Sequence, residues 1–407
     1  MINIFNPVIS KVEGGGKFNI HYGLNPPEDT SMLWVQTERE PSKTTITADF
    51  VVDKVLEQLT TTFPFTLGSG HATVVGKKVY FTGCNNGSTY VKNIIKYDTE
   101  SGIFETLPFT VPEQAVPCAV GSKIYIFGGR IVTTWYTDIY CFDTDNDTLE
   151  KLDTVLDEGG SAYHTVNIGT KIYLLGGTGS NGTSSSSKNT IRVFDTADNS
   201  LTKLTAVLPS ALYGGACILH DTTIYIFGGN YNENTPRSSI YVFDTVEEKT
   251  STLGVSLPTA SAYKGCGKIG NKVYLFGGYS KTLSTNTNDI LEYDFDKGTI
   301  VKLTLTMPTV RSKQVSATVG GSIYLFGGVS YISTTKYLNE ILRLELASDL
   351  ENGECVIIPS LDGSPIELMK GTNVLSIGVS QAVIGNANNE GEFVKIYAHN
   401  GTTWEEI

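Results

Sequence analysis

The sequence is short of the features that most functional classes require. Basic residues are outnumbered, with 30 lysines and arginines against 42 aspartates and glutamates, a net charge of −12. Phosphate backbones are held by basic stripes, so this balance argues against a nucleic-acid partner. No apolar run approaches the roughly 18 residues of a membrane-spanning helix, so no membrane insertion is expected. The opening MINIFNPVISKVE lacks a charged stretch leading into an apolar core. No signal peptide is therefore read here, and synthesis in a cytoplasm is the expectation. Six cysteines, Cys84, Cys118, Cys141, Cys217, Cys266 and Cys355, make no CxxC pair, and five histidines show no HExxH or HxH spacing. Neither a metal nor another cofactor is expected from these patterns. A GxSxG elbow and a glycine-rich phosphate loop leading into a helix are also missing. Helical periodicity competes nowhere along the chain.

What the chain does have is a repeat. KVYFTGC (78–84), KIYIFGG (123–129), KIYLLGG (171–177), TIYIFGG (223–229), KVYLFGG (272–278) and SIYLFGG (322–328) recur with their first glycines 45, 48, 52, 49 and 50 residues apart. A period near fifty filled with short strands points to a ring of units that cannot bury their apolar faces singly. Each unit offers four strands by period-2 alternation between turn residues. A small-residue strand such as HATVV (71–75) comes first and the IYxFGG strand second. A third strand such as DIYCFDT (138–144) and a fourth such as LTKLTAVLP (201–209) follow.

These residues resemble the kelch family of β-propellers, whose repeat carries a double glycine after its second strand and an aromatic in its third. The resemblance covers about residues 65–358 in six copies. It implies an all-β propeller with six sequence-visible blades. Gly128–Gly129, Gly176–Gly177, Gly228–Gly229, Gly277–Gly278 and Gly327–Gly328 are then scaffold, letting strands and blades approach closely at positive φ. Asp98, Asp143, Asp195, Asp244 and Asp294 are expected to cap the turn into the fourth strand. Two departures stand out: Gly83–Cys84 replaces the first diglycine, and EILRLEL (340–346) lacks the aromatic and the aspartate. Cys217 and Cys266, 49 residues apart, fall at the same place in successive blades and are expected as buried small hydrophobes.

The ends divide the chain into an N-terminal flank (1–64), the repeats (65–358) and a C-terminal flank (359–407). VLEQLTTTFP (55–64) matches the fourth-strand pattern and is read as ring-closing. NVLSIGV (373–379) and FVKIYAHN (393–400) also alternate like strands. A seventh blade composed from both ends is the favoured expectation, with a six-bladed ring as the alternative. YGLNPPEDTSMLWVQTEREPS (22–42) and IGNANNEGEFVKIYAHNGTTWEEI (384–407) resemble segments that flank kelch repeats in prophage-encoded, tail-associated proteins. That resemblance implies a virion-associated role.

A propeller gathers ligands at its axis, where loops enter the first strands and leave the second. Three entering loops, SAYH (161–164), ALYGG (211–215) and SAYKG (261–265), are expected to place Tyr163, Tyr213 and Tyr263 at similar positions in consecutive blades. His164 and Lys264 follow two of them, and Arg311 and Lys313 come from TVRSKQ (309–314). Beside the diglycines stand Arg130, Asn230 and Tyr279, with Trp135 farther along its loop. Tyrosines with a few cations and amides suit a sugar, whose apolar face stacks on rings while its rim takes hydrogen bonds. The same tyrosines also read as wedges between blades. His71 and His164 share a register and so are a repeat feature before they are a dyad.

The resemblance leaves three functions open. The favoured one is a non-catalytic recognition module contacting a cell-surface glycan or a protein partner, tail-associated in the sense the flanks imply. A sugar-active enzyme like the sialic acid mutarotases of the family would need an axial acid–base group from Arg311, His71, His164 or Glu113, and no spacing selects one. A cytoplasmic protein–protein adaptor is the third. The copper ligands of kelch oxidases cannot be placed on this chain.

Overall fold

In the computed structural model, residues 54–346 are described apart from 181–184 and 233–234. Beyond them, backbone strands are described at Lys17–Gly23, Leu33–Gln36, Ile46–Phe50, Cys355–Ile358, Ile366–Lys370, Asn373–Gly378, Lys395–His399 and Trp404–Glu406. Strands dominate because β-branched and aromatic residues alternate between turn residues every few positions.

Five sheets run in sequence order, each built on an antiparallel meander of four strands, the first with a short fifth strand, Tyr90–Val91, paired to its second. Blade 1 begins with Ser69–Val75 and Lys78–Asn85, blade 2 with Val116–Val120 and Lys123–Phe127, and blade 3 with His164–Ile168 and Lys171–Leu175. Blade 4 begins with Ala216–His220 and Thr223–Phe227, and blade 5 with Gly265–Ile269 and Lys272–Phe276. Blade 6 is composite: Val315–Val319, Ser322–Tyr331 and Thr335–Leu346 take Lys54–Thr62 as the outer strand. First strands of successive blades are neighbours around the axis, and that of blade 6 adjoins that of blade 1.

The topology departs from a seventh blade built from both ends. The sixth repeat supplies three strands only, and residues 54–62 fill its open edge. The remaining end strands pair with one another instead, in an eight-stranded sheet ordered 355–358, 366–370, 373–378, 46–50, 17–23, 33–36, 395–399 and 404–406. They belong to a separate compact unit, residues 1–55 with 345–407, and the ring is a second unit, 56–344. Most residues of the two flanking segments, 22–42 and 384–407, lie outside the described set.

Apolar clusters sit between blades rather than within them. Tyr80, Ile94 and Leu107 of blade 1 pack on Ile124, Ile126 and Phe142 of blade 2. Phe63, Phe81 and Phe326 form an edge-to-face cluster joining blades 6 and 1. The diglycines fasten the same seams. Gly129 donates its N–H to the Gly160 carbonyl on the loop entering blade 3, at 2.9 Å. Gly177, Gly229, Gly278 and Gly328 donate in the same way to Leu212, Ser261, Arg311 and Leu67. A Cβ on Gly128, whose φ is +58°, would lie 2.3 Å from that same Gly160 oxygen. Five blade boundaries thus share one clasp, each bond contributing about 1 kcal/mol, and the last ties blade 6 to blade 1.

The repeated aspartates close turns. Asp98 accepts the N–H groups of Glu100 and Ser101, and Asp143, Asp195, Asp244 and Asp294 accept from the residue two positions on. Backbone donors hold the Asp98, Asp143 and Asp244 carboxyls below their ordinary value.

Candidate functional site

The six inner strands surround an axial cavity of about 530 Å³. One ring of its wall is Ala72, Pro117, Thr165, Cys217, Cys266 and Ser316, one residue from each blade. Side-chain hydroxyls stitch this level: Thr165 bonds the Pro117 carbonyl at 3.2 Å, and Ser316 accepts the Cys266 N–H at 3.0 Å. Cys217 and Cys266 share a register as expected, but both face this cavity and are only partly buried. Burial raises both thiols, Cys266 to about 11, so neither is a ready thiolate.

Above that ring, the loops entering the strands repeat a backbone turn. Gln114, Ala162, Gly214, Tyr263 and Lys313 have φ of 59°, 53°, 62°, 59° and 58°. Each lies two residues before the position paired with the residue preceding the diglycine: Val116, His164, Ala216, Gly265 and Val315. Counted this way, the three tyrosines are not equivalent. Tyr263 occupies the left-handed position, Tyr213 precedes it by one, and Tyr163 follows it by one. Their surroundings differ accordingly. Tyr163 is 5% exposed and wedged beneath the wall, where a Cβ on Gly160 would strike its hydroxyl. Tyr213 and Tyr263 stand in the mouth, edge to face at 6.1 Å. The Tyr263 N–H bonds the Gly214 carbonyl and the Lys313 N–H bonds the Tyr263 carbonyl, a collar across blades 4 to 6.

Of the residues singled out from sequence, Tyr163, His164, Tyr213, Tyr263, Lys264, Arg130 and Trp135 line the cavity. Arg311, Asn230 and Tyr279 do not. Arg311 is fully buried and donates through Nη1 to the Gly327 carbonyl at 3.1 Å, so it braces blade 6. Asn230 is also fully buried, its backbone bridging to Tyr213. Tyr279 pairs through its backbone with Ala262.

Sequence reasoning missed Tyr90 and Gln114 as site residues. Gln114 Nε2 donates to the Tyr90 hydroxyl at 2.5 Å, Ser161 Oγ lies 3.4 Å from Gln114 Oε1, and Thr178 Oγ1 is 3.3 Å from Ser161. A polar chain therefore runs along the wall of blades 1 to 3. Counting from the diglycine strands would have put Gln114 level with Tyr263 and Lys313, whereas nothing marked Tyr90.

Electrostatically the wall is one-sided. Its lining includes Arg130, Lys264 and Lys313 and no aspartate or glutamate. The Arg130 guanidinium lies 4.9 Å from the Trp135 ring centre, and its Nε donates to the Val132 carbonyl. Lys313 reaches solvent at the mouth with its ammonium 5.0 Å from the Tyr263 ring centre, and partial burial there lowers that ammonium from its ordinary value. Lys264 donates to the Gly277 carbonyl, and burial lowers its ammonium from 10.5 to about 8.

Two histidines line the same cavity. Burial lowers both to about 4, and in His71 the proximity of His164 adds to the effect. His164 Nε2 accepts the Gly215 N–H at 3.0 Å, so its Nδ1 carries the proton toward the Leu175 carbonyl, also at 3.0 Å. Such a ring is fixed and neutral near pH 7. Among the described residues, no cluster of histidine, cysteine and carboxylate is arranged to hold a metal ion.

Comparisons with known proteins agree with this architecture. Residues 160–349 match the KLHDC2/KLHL20/DRC7 Kelch-repeats domain, and residues 114–151 match the Kelch motif. Those residues carry kelch repeats, and the fold is a kelch-type β-propeller. A solved structure titled "Structure of YjhT" is similar with a TM-score of 0.58 and 16% identity, over 69% of this chain and 96% of that one. At that identity the likeness speaks for the fold alone. No curated protein matches the sequence. Kelch propellers are binding and interaction modules in general, and no helix among the described residues is long and apolar enough to cross a membrane.

Proposed function

We propose that this propeller is a non-catalytic recognition module that receives a glycan in its axial cavity. The observation carrying this reading is the cavity itself. Its volume falls within the few hundred to a thousand cubic ångströms of small-ligand sites. Aromatic rings of Tyr213, Tyr263 and Trp135 stand beside a hydrogen-bonding wall of Tyr90, Gln114 and Thr178, the pairing that a sugar's apolar face and hydroxyl rim call for. A proton-transfer role has less support, because both lining histidines are held neutral and the lining carboxylates needed to pair with them are missing. Presented on a tail or another surface structure, as the flanking segments suggest, such a module would act in receptor binding.

A second reading, a protein partner, draws on the loop tips of the same face. Val132 is 78% exposed, Leu283 55% and Ile332 70%. The experiment separating the two is a broad glycan array probed with the wild type and a Tyr213→Ala/Trp135→Ala variant of verified fold. Selective binding lost in the variant supports the glycan reading. An array without a single bound glycan refutes it and turns attention to the loop tips.

A further inference from the structure

We infer that the ligand of the axial cavity is acidic, its anionic group seated between Lys264 and Lys313 on the wall of blades 5 and 6. This deepens the glycan reading and rests on it. The chain as a whole carries −12, so a random patch of its surface would be richer in carboxylates than in cations. The cavity lining reverses that balance, with Arg130, Lys264 and Lys313 and no acidic residue. A cavity of one sign with low-dielectric walls concentrates ligands of the opposite charge.

The three cations are not equally available. Arg130 sits across the ring on blade 2, donating within its own loop and stacked over Trp135. Lys264 touches only a neutral acceptor, the Gly277 carbonyl, among its described hydrogen bonds. Lys313 touches only a ring face, that of Tyr263. Both ammonium groups lack a carboxylate within ion-pair distance among the described residues. Both come from adjacent entering loops joined by the Lys313 N–H bond to Tyr263 O. Holding a long side chain at φ near +58° costs about 1–2 kcal/mol over glycine, so Lys313 occupies a place where glycine, as at position 214, folds more cheaply. The polar groups of Tyr90, Gln114 and Thr178 come from blades 1 to 3, so the uncharged hydroxyls of a sugar acid lie toward those blades.

Carboxylate and sulfate share this chemistry, and the experiment distinguishes them. Wild-type protein is titrated by calorimetry with uronic-acid oligosaccharides, their carboxyl-reduced counterparts and sulfated neutral oligosaccharides. Lys264→Gln and Lys313→Gln are measured alongside. Glutamine is tolerated at both registers, because Gln314 and Gln114 occupy the corresponding positions in blades 6 and 2. Acidic ligands should bind, the reduced ones at least tenfold more weakly, and each variant should lose about tenfold or more for the acidic ligand alone. Affinity should also decline as pH rises past 8, where Lys264 gives up its proton. The charged groups bearing on Lys264 are Asp289, which favours its ammonium, and Lys302, which opposes it, with Lys313 and the Tyr263 phenol across the collar. Equal binding of acidic and reduced sugars overturns the anion seat while leaving the glycan reading in place. Failure of every sugar, acidic or neutral, overturns both.

Discussion

Lys264 is the best place to test whether the wall of the cavity has been understood, because replacing it should make the protein more stable. Burial lowers its ammonium from 10.5 to about 8. At about 1.36 kcal/mol per unit, holding the proton at pH 7 costs the folded state up to about 3 kcal/mol. Methionine keeps the length of the stem, which packs against Gly278, and removes the charge. It also forfeits the bond to the Gly277 carbonyl, worth about 1 kcal/mol. Lys264→Met should therefore gain about 1–3 kcal/mol at pH 7, a rise of several degrees in Tm. The folded value lies below the unfolded one, so the unfolded chain holds more protons between pH 8 and 10.5. Wild-type stability then rises relative to the variant as pH climbs through that window, and the gap closes near its top. Thermal melts of both proteins at half-unit steps from pH 7 to 10.5 give the difference directly and cancel every other titrating group. A variant that is less stable at pH 7, or a gap that does not change with pH, would refute the argument that Lys264 is an ammonium held against its solvation.

Other consequences are as direct. His71 and His164 have folded values near 4 against 6.5, so stability present above pH 6.5 should drain away between pH 6.5 and 4, by up to about 3 kcal/mol for each; urea titrations at pH 7 and 4.5 read this. Fully buried Arg192 bonds Thr190, Asp157 and Glu158, outweighing the burial that would raise the two carboxyls. Arg192→Met should cost about 3 kcal/mol in urea unfolding, and a neutral result would show that Lys188 and Lys203 suffice. Gly128→Ala drives a Cβ into the Gly160 carbonyl and should lower Tm markedly, with no such loss at Gly254, where a Cβ meets nothing.

The sequence made the scaffold legible because the same physical demand recurs in every blade. A diglycine stands at five of the six places where one blade's second strand meets the next blade's loop, and an aspartate at five of the six third-strand turns. Sites differ from blade to blade by design, so repetition misleads there. Tyr163, Tyr213 and Tyr263 look alike when aligned by the tyrosine itself and separate once aligned by the strand pairing. Arg311 looked like a cation for the mouth, yet its side chain turns inward to brace Gly327, a direction no local pattern carries. Lys264 and Lys313 had a readable position but not a readable charge environment, since the missing carboxylates are a property of six loops together. The ring closure was half legible: residues 55–64 matched a fourth strand, while the blade they complete depended on the sixth repeat's open edge.

That closing strand has a mechanical consequence. Glu57 pairs with Arg343 at 3.0 Å, and the Phe63 N–H reaches the Asn339 carbonyl, so the first and last strands of the ring run antiparallel and its two exits lie side by side. Tension applied between residues 54 and 346 would not pass around the circle. It would open one edge like a zip, one bond at a time, so the other five blades would remain unloaded until that edge gave way. Held by both flanks, the ring is weakest at its seam, and single-molecule pulling should show an early low-force event that releases residues 54–62 before any blade unfolds.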